Sequence, residues 1–410
     1  MWSPWGGLRS MGRSMGRSVE RSVGRLVDST PPSRARDVDF LRLASVCVVV
    51  LWHWALSIDH FRGGVLVMPN PIARIPFAWL ATWLLQVMPV FFVIGGFAHL
   101  AAWDAAGRAT GSPRDDPARP WGPRARRFLR GRLRRLLPPM AVFAVVWAAV
   151  DAVLLLAVPD YPGLLRYGRA VLVPLWFLAA YLGVILVVPV TAAVHRRFGR
   201  RFILLLGAVV ALVDLARFGT GSTVFGYVNT GLVWIFAHQL GYFWRDGVLR
   251  GPRRALLTAL CGLAGLALVT TLDEYPRSMV ATEGARRGNM FPTTAAIAVL
   301  AVFQLGLILL AAPALNRMLA RRRPWTAVVT GNAVIMTVFL WHMTALLLAM
   351  VTMRAVGLPM PDEPTATWWA GRPLWVILPA LFLAPLIVLF APVERGAAAP
   401  RGPARTGPDD

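Results

Sequence analysis

The 410-residue chain contains no lysine and few acids, so its 43 basic residues are all arginines and its formal net charge is +23. It has only two cysteines, Cys47 and Cys261, and both lie in apolar stretches, which gives no basis for a disulfide framework or a thiolate metal site. Charged residues make up 15% of the chain, whereas 57% is hydrophobic and the mean hydropathy is +0.57. This composition excludes an ordinary soluble domain.

Several sequence signatures of hydrolytic and metal-dependent enzymes are also absent. There is no G-x-S-x-G or H-E-x-x-H motif and no acid cluster suited to Mg²⁺ or Zn²⁺, so we expect no metal cofactor. The residue alternation of a membrane β-barrel is missing as well. Because only helices and closed barrels satisfy their backbone in lipid, the sequence predicts an all-α, polytopic transmembrane bundle.

Apolar segments long enough to cross about 30 Å of hydrocarbon recur along the chain. We predict ten spans, at residues 38–57, 79–103, 136–157, 171–190, 202–217, 224–244, 255–272, 293–313, 327–352 and 374–392. With ten spans, both termini and every second loop lie on one side of the membrane, and together they hold 32 of the 43 arginines. The loops on the other side hold ten, and Arg42 lies within the first span. The positive-inside rule therefore predicts a multi-pass plasma-membrane protein with both termini cytoplasmic, and it explains the basic charge without nucleic acid.

The chain divides into three parts. Residues 1–35 contain an arginine every four positions in RSMGRSMGRSVERSVGR, which predicts a low-complexity segment that is disordered or lies on the membrane surface. Whether that segment belongs to the natural product is left open. Residues 36–392 form the membrane domain, and residues 393–410 form a disordered cytoplasmic tail.

The first span carries two polar side chains that its apolar surroundings do not explain. Arg42 lies in its first turns and His53 lies eleven residues later. Eleven helical steps of about 100° return to within roughly 20° of the start, so both side chains are predicted on one face. Ionisable residues at membrane depth usually face the bundle interior or a water-filled cavity, which makes this face a candidate site.

A neutral imidazole at His53 suits removal of a proton from an alcohol during acyl transfer. No activated serine or cysteine accompanies it, so direct attack by an acceptor hydroxyl is the simpler route. The roles of other polar residues in or near the apolar spans are left open: these are His99, His238, His342, Asp151 and Asp214.

An arginine cluster, RARRFLRGRLRRLLPP, runs directly into the third span. It includes Arg132 and Arg135. Guanidinium groups match phosphate oxygens, so the cluster could hold a phosphorylated ligand at the membrane face. On composition alone, contact with lipid head groups is the favoured interpretation.

Several of these motifs together resemble the membrane-bound acyltransferase-3 family. They are the Arg-x₁₀-His of span one, PVFFVIGGFAHL at residues 89–100, Arg-x-x-Arg before Pro138, PLWFLAAYL from Pro174, and FLWHM at residues 339–343. Gly95 and Gly96 in the second motif would allow close helix approach. The resemblance covers roughly residues 36–392, and no esterase-like domain follows it, so a stand-alone form is expected.

The resemblance implies an integral membrane O-acyltransferase that moves an acyl group, acetyl or another short one, from acyl-CoA to a hydroxyl. The acceptor would be an extracytoplasmic glycan, lipid or small molecule. By this resemblance His53 is the catalytic base, Arg42 is a positioning residue, and Arg132 with Arg135 hold the phosphates of the donor, with acetyl-CoA the expected one. A transporter of an anionic or lipid-linked substrate is the alternative, although no internal repeat supports it. A non-enzymatic scaffold would not need Arg42 and His53 on one buried face.

Overall fold

The computed structural model of the protein describes residues 24, 28, 30–31, 34–62, 65–111, 121–159, 161, 163–164, 169–282, 285–358, 360 and 363–398. Of the predicted N-terminal segment, residues 1–35, the structure describes only positions 24, 28, 30–31 and 34–35. Residues 399–410 of the predicted tail also lie outside the described residues. The predictions for those segments therefore remain predictions.

The first half of the chain forms helices α1 to α5, joined in part by short irregular elements. The helices are α1 Arg36–Leu51, α2 Ala78–Leu85, α3 Met88–Thr110, α4 Pro123–Ala157 and α5 Arg169–Phe198. A π-helical turn at Trp52–Leu56 ends α1, a small antiparallel hairpin pairs β1 (His60–Arg62) with β2 (Val65–Val67), and a 3₁₀ turn spans Pro71–Arg74.

In the second half of the chain, every regular element among the described residues is an α-helix. The helices are α6 Arg200–Thr220, α7 Thr223–Arg245, α8 Pro252–Val269, α9 Ala295–Leu319, α10 Arg322–Asn332, α11 Ile335–Ala355 and α12 Ala366–Ala398. The predicted all-α, polytopic class is thus confirmed.

Nine helices of the described chain are long and apolar enough to cross a membrane, counting α2 and α3 as one span. The sixth predicted span, residues 224–244, forms as α7 but is not among the nine. Its fully buried Asn229, His238 and Gln239 explain the lower apolarity. This helix packs inside the bundle, so its polar residues face protein and not lipid.

Two predicted spans are each broken into two helices. Between α2 and α3 the chain turns at Gln86. Pro89, in the first turn of α3, has no N–H to bond the carbonyl of Leu85, and its ring would clash with that carbonyl in a continuous helix. Between α10 and α11 the break falls at Ala333 and Val334. The last helix, α12, continues past residue 392 through Ala398, so residues 393–398 of the predicted tail are helical.

The close helix approach predicted at the glycine pair of α3 is confirmed. A Cβ added at Gly96 would lie 1.9 Å from the carbonyl oxygen of His238, and one added at Gly241 would lie 2.0 Å from that of Val93. Gly96 on α3 and Gly241 on α7 therefore bring the backbones of the two helices into direct contact, which no larger residue would permit.

Ion pairs join four helices at the end of the bundle where α4 begins, and the Arg124–Asp104 pair among them is buried. The Arg124 guanidinium donates to Asp104 at 3.2 Å, and Arg196 bonds both Asp104 and Asp246. His195, on α5, lies 3.1 Å from the Asp246 carboxylate and is only 4% exposed. The network ties α3, α4, α5 and α7 together beside the arginine cluster of α4.

Candidate functional site

The polar face of α1 lines two cavities in succession. Arg42 and Val46 line the first, and Val49 and His53 line the second. Successive positions in this set are four, three and four residues apart, so all four side chains lie on one face of the helix. We call the first cavity the arginine cavity and the second the histidine cavity.

The arginine cavity has a volume of about 570 Å³, within the range typical of small-molecule sites. Helices α1, α3, α4, α5, α11 and α12 contribute to its wall. Its charged lining residues are Arg42, Arg132, Arg135, Glu394 and Arg395. The structure thus brings together the arginines of α1 and α4, which are far apart in sequence, around one cavity with an excess of positive charge.

Three of these arginines, Arg132, Arg135 and Arg395, form no ion pair with a carboxylate of the described residues. Arg132 donates to the backbone carbonyl of Ala98 at 3.1 Å. Arg42 by contrast pairs with Asp39 at 3.3 Å. Guanidinium groups that line a cavity without an ion-pair partner favour an anionic ligand, and their planar forks suit phosphate.

The carboxylate of Glu394 is already occupied within the protein. It accepts hydrogen bonds from the backbone N–H groups of Met336 and Thr337, at 3.0 and 2.9 Å, and from the Thr337 hydroxyl at 2.8 Å. Glu394 therefore caps the N-terminus of α11, where a carboxylate is favoured by the unsatisfied N–H groups and the helix dipole. Its main bonds go to α11 and not to the cavity arginines.

The histidine cavity is smaller, about 150 Å³, and mostly apolar. Its polar lining groups include His53, His342 and Gln86, and aromatic and aliphatic side chains supply the rest, among them Trp52 and Trp176. An apolar wall around a few polar groups is the usual composition of a site that excludes water.

His53 lies in the π-helical turn that follows α1. Such turns are uncommon inside helices and often occur at functional sites, because the extra residue per turn shifts the direction of a side chain. The His53 Nδ1 atom lies 3.1 Å from Nε2 of His342, and the rings stack with centroids 5.2 Å apart. The Trp54 indole N–H donates to the backbone carbonyl of His342 at 3.1 Å, which ties the same turn to α11.

Two phenylalanines line both cavities. Phe177 on α5 and Phe339 on α11 appear in each wall, and their rings meet edge to face with centroids 5.5 Å apart. The two side chains therefore form the partition between the arginine and histidine cavities. A ligand with its charged end at the arginines would reach His53 by passing this pair.

A second histidine pair borders the arginine cavity. His99 lines the cavity, its Nδ1 lies 3.0 Å from Nε2 of His238, and the Tyr181 hydroxyl lies 3.2 Å from its Nε2. Both ring nitrogens of His99 are thus engaged inside the bundle. This network connects α3, α5 and α7.

The two acids left open by the sequence hold the bundle together away from both cavities. Asp214 is fully buried and accepts bonds from Asn229 and from the backbone N–H of Ala295. Asp151 accepts a bond from the backbone N–H of Leu164 at 2.7 Å. Neither acid lines the arginine cavity or the histidine cavity. Within the described ranges no group of three or more His, Cys, Asp or Glu side chains could hold a metal ion.

Sequence reasoning missed the pairing of His342 with His53. Its one signal was the FLWHM motif, which places a histidine in an apolar span without indicating its partner. The partition formed by Phe177 and Phe339 was also missed, because an aromatic residue at helical spacing is ordinarily a core residue.

A comparison with protein families gives one match: the model described as an acyltransferase domain, that of the acyltransferase-3 family, matches residues 36–392. No curated protein and no solved structure matches the chain.

Proposed function

Because the chain belongs to the acyltransferase-3 family, we propose that this membrane acyltransferase moves an acetyl or other short acyl group from cytoplasmic acyl-CoA to a hydroxyl. The acceptor is an extracytoplasmic glycan, lipid or secondary metabolite. The observation that carries the proposal is the adjacency of a cationic cavity and a histidine-bearing apolar cavity, whose walls share Phe177 and Phe339.

The donor occupies the arginine cavity with its phosphates on Arg132 and Arg135. These guanidiniums form no ion pair with a carboxylate in the described structure and line a cavity of small-molecule size. Acetyl-CoA is the proposed donor. Arg42, held by Asp39, adds positive charge to the same wall and orients the donor.

The orientation in the plasma membrane follows from the arginine distribution. The arginine-rich segments, including the start of α4, face the cytoplasm, and both termini lie on that side. At 1.5 Å per residue, His53 lies about 16 Å further along α1 than Arg42. The donor thus enters from the cytoplasmic side, and the acceptor meets the acyl group towards the opposite side.

The reaction at His53 is a direct transfer. The acceptor oxygen attacks the thioester carbonyl carbon while His53 takes the hydroxyl proton, so a C–O bond forms as the C–S bond breaks. The proton then passes from His53 to the departing sulfur, which leaves as the free thiol of CoA. No covalent acyl-enzyme intermediate is required.

Consumption of acyl-CoA thioester by the purified protein in proteoliposomes tests this proposal. Removal of a general base typically lowers turnover about 10²- to 10⁴-fold, so His53→Ala should lose that much kcat. Arg132→Ala should instead raise KM for the donor by roughly 10- to 100-fold, as expected for loss of about 1.5–3 kcal/mol of charged hydrogen bonding.

Arg130→Ala is the matched control. Arg130 lies on the same helix as Arg132, is exposed, and does not line the arginine cavity, so its loss should leave both constants unchanged. A transporter would leave the thioester intact in every variant. That result, or parental activity in both His53→Ala and Arg132→Ala, would overturn the proposal.

A further inference from the structure

His342 has both ring nitrogens engaged. Its Nδ1 lies 2.7 Å from the backbone carbonyl oxygen of Phe339, and its Nε2 lies 3.1 Å from Nδ1 of His53. The residue is fully buried in α11. Its ring is therefore held between a backbone acceptor on one side and His53 on the other.

These contacts determine where the protons lie. A carbonyl oxygen only accepts, so Nδ1 of His342 carries a hydrogen and donates it to Phe339. A second proton would make His342 a cation, and a buried cation facing another imidazole without a carboxylate is costly. His342 is therefore neutral, and its Nε2 is an acceptor. The proton between the two rings must then belong to Nδ1 of His53.

The remaining nitrogen of His53 is left without a proton. Its Nε2 forms no side-chain hydrogen bond with the described residues and is not one of the buried polar atoms without a partner, so it keeps some accessibility, and His53 lines the histidine cavity. An unprotonated imidazole nitrogen in an apolar cavity is the form a general base requires.

We infer that His342 is a positioning residue that holds His53 as the Nδ1–H tautomer and thereby presents Nε2 as the base. The catalytic consequence rests on the proposed function, whereas the tautomer itself does not. The Phe339 carbonyl, His342 and His53 form a relay of hydrogen bonds that orients the base, in the way that a hydrogen-bonded partner orients a metal-ligating histidine. His342 does not touch the acceptor hydroxyl.

The tautomer can be measured without any assay of activity. The chain has six histidines, so ¹⁵N-histidine labelling of the protein in nanodiscs gives few signals, and His53→Gln assigns those of residue 53. At mildly alkaline pH the wild type should show a protonated Nδ1 and an unprotonated Nε2 at His53. A protonated Nε2 there would overturn the inference, whatever the activity.

Two substitutions of the partner separate positioning from packing. His342→Gln keeps an acceptor oxygen near the place of Nε2 and should keep the His53 tautomer and most of kcat. His342→Leu removes the acceptor, so His53 should populate the Nε2–H form. Its kcat should fall about 10- to 100-fold, the usual effect of losing such an outer partner, with KM for acyl-CoA unchanged.

Equal kcat losses in the Gln and Leu variants would overturn the positioning role. Such a result would mean that the loss comes from altered packing at position 342 and not from the missing hydrogen-bond acceptor. If the wild type shows the expected tautomer but cleaves no thioester, the proposed function fails while the proton assignment stands. The two failures are therefore distinguishable.

Discussion

The glycine contact between α3 and α7 gives a prediction whose sign is set by geometry. An alanine Cβ at position 96 would lie 1.9 Å from the carbonyl oxygen of His238 and 3.1 Å from the Cα of Gly241. Favourable contacts between such atoms lie near 3.5–4.0 Å, so α7 must move away by more than about 1 Å. Backbone cannot rotate aside as a side chain can, and we expect Gly96→Ala to destabilise the protein.

The cost of overpacking in a well-packed interior is typically about 1–3 kcal/mol. For a chain of this length that corresponds to a fall in the unfolding midpoint of roughly 1 °C per kcal/mol. The displaced helix carries His238, which contacts His99 at the arginine cavity, so KM for the donor should rise as well. Thermal unfolding followed by tryptophan fluorescence measures the first effect, since the chain has 17 tryptophans.

The matched control is Gly231→Ala, on α7, the helix that Gly96 contacts. A Cβ there would meet nothing within 4 Å, so the substitution only removes backbone freedom from the unfolded chain. It should stabilise the helix by about 0.5–1 kcal/mol. The two glycine-to-alanine changes should thus shift the midpoint in opposite directions. A neutral or stabilising Gly96→Ala would refute the reasoning that these backbones are in contact.

Three further perturbations test the parts that support the site. Arg124→Ala leaves the buried Asp104 with less compensation and should cost about 3–5 kcal/mol of unfolding free energy, measured in a denaturant titration. Burial acts to raise the pKa of Asp246, but its hydrogen bond to His195 holds that pKa below its usual range. The stability contributed by its ionised form is therefore present above about pH 4 and lost below it. The difference in free energy of unfolding between the wild type and Asp246→Asn should therefore become smaller as the pH falls below about 4. Glu394→Ala removes the cap of α11 and should cost about 0.5–2 kcal/mol by thermal unfolding, with Glu394→Gln recovering part of the loss.

The membrane class and the predicted spans could be predicted because they depend on local properties. Each span needs only enough consecutive apolar residues to match the bilayer, and that length is visible in the sequence. The stripe through Arg42 and His53 was similarly visible, because helical periodicity fixes which residues share a face. The close contact at Gly96 followed from the absence of a side chain in an apolar helix.

The pairings across the bundle could not be predicted. His53 and His342 are separated by 289 positions, and nothing in their local sequences indicates that the rings meet. The π-helical turn at Trp52–Leu56 was missed because its residues do not differ from those of an ordinary helix end. The break at Ala333 depends on a cap from Glu394, which comes from a different helix.

The ligand of the arginines on α4 also depends on contacts between helices that the sequence does not reveal. Composition alone favoured contact of Arg132 and Arg135 with lipid head groups over a bound phosphate. Their position in the wall of a cavity, without acidic partners in the described structure, favours the second interpretation. That distinction required the tertiary arrangement of α1, α4 and α12.

The most direct test of acyl transfer between the two cavities is a structure of the protein with a non-cleavable thioether analogue of acetyl-CoA. We predict phosphate density within hydrogen-bonding distance of Arg132 and Arg135, the arm of the donor between Phe177 and Phe339, and the acyl group beside Nε2 of His53. Density for the analogue outside the arginine cavity, or an acyl group that stays on the arginine side of the phenylalanine pair, would contradict the account.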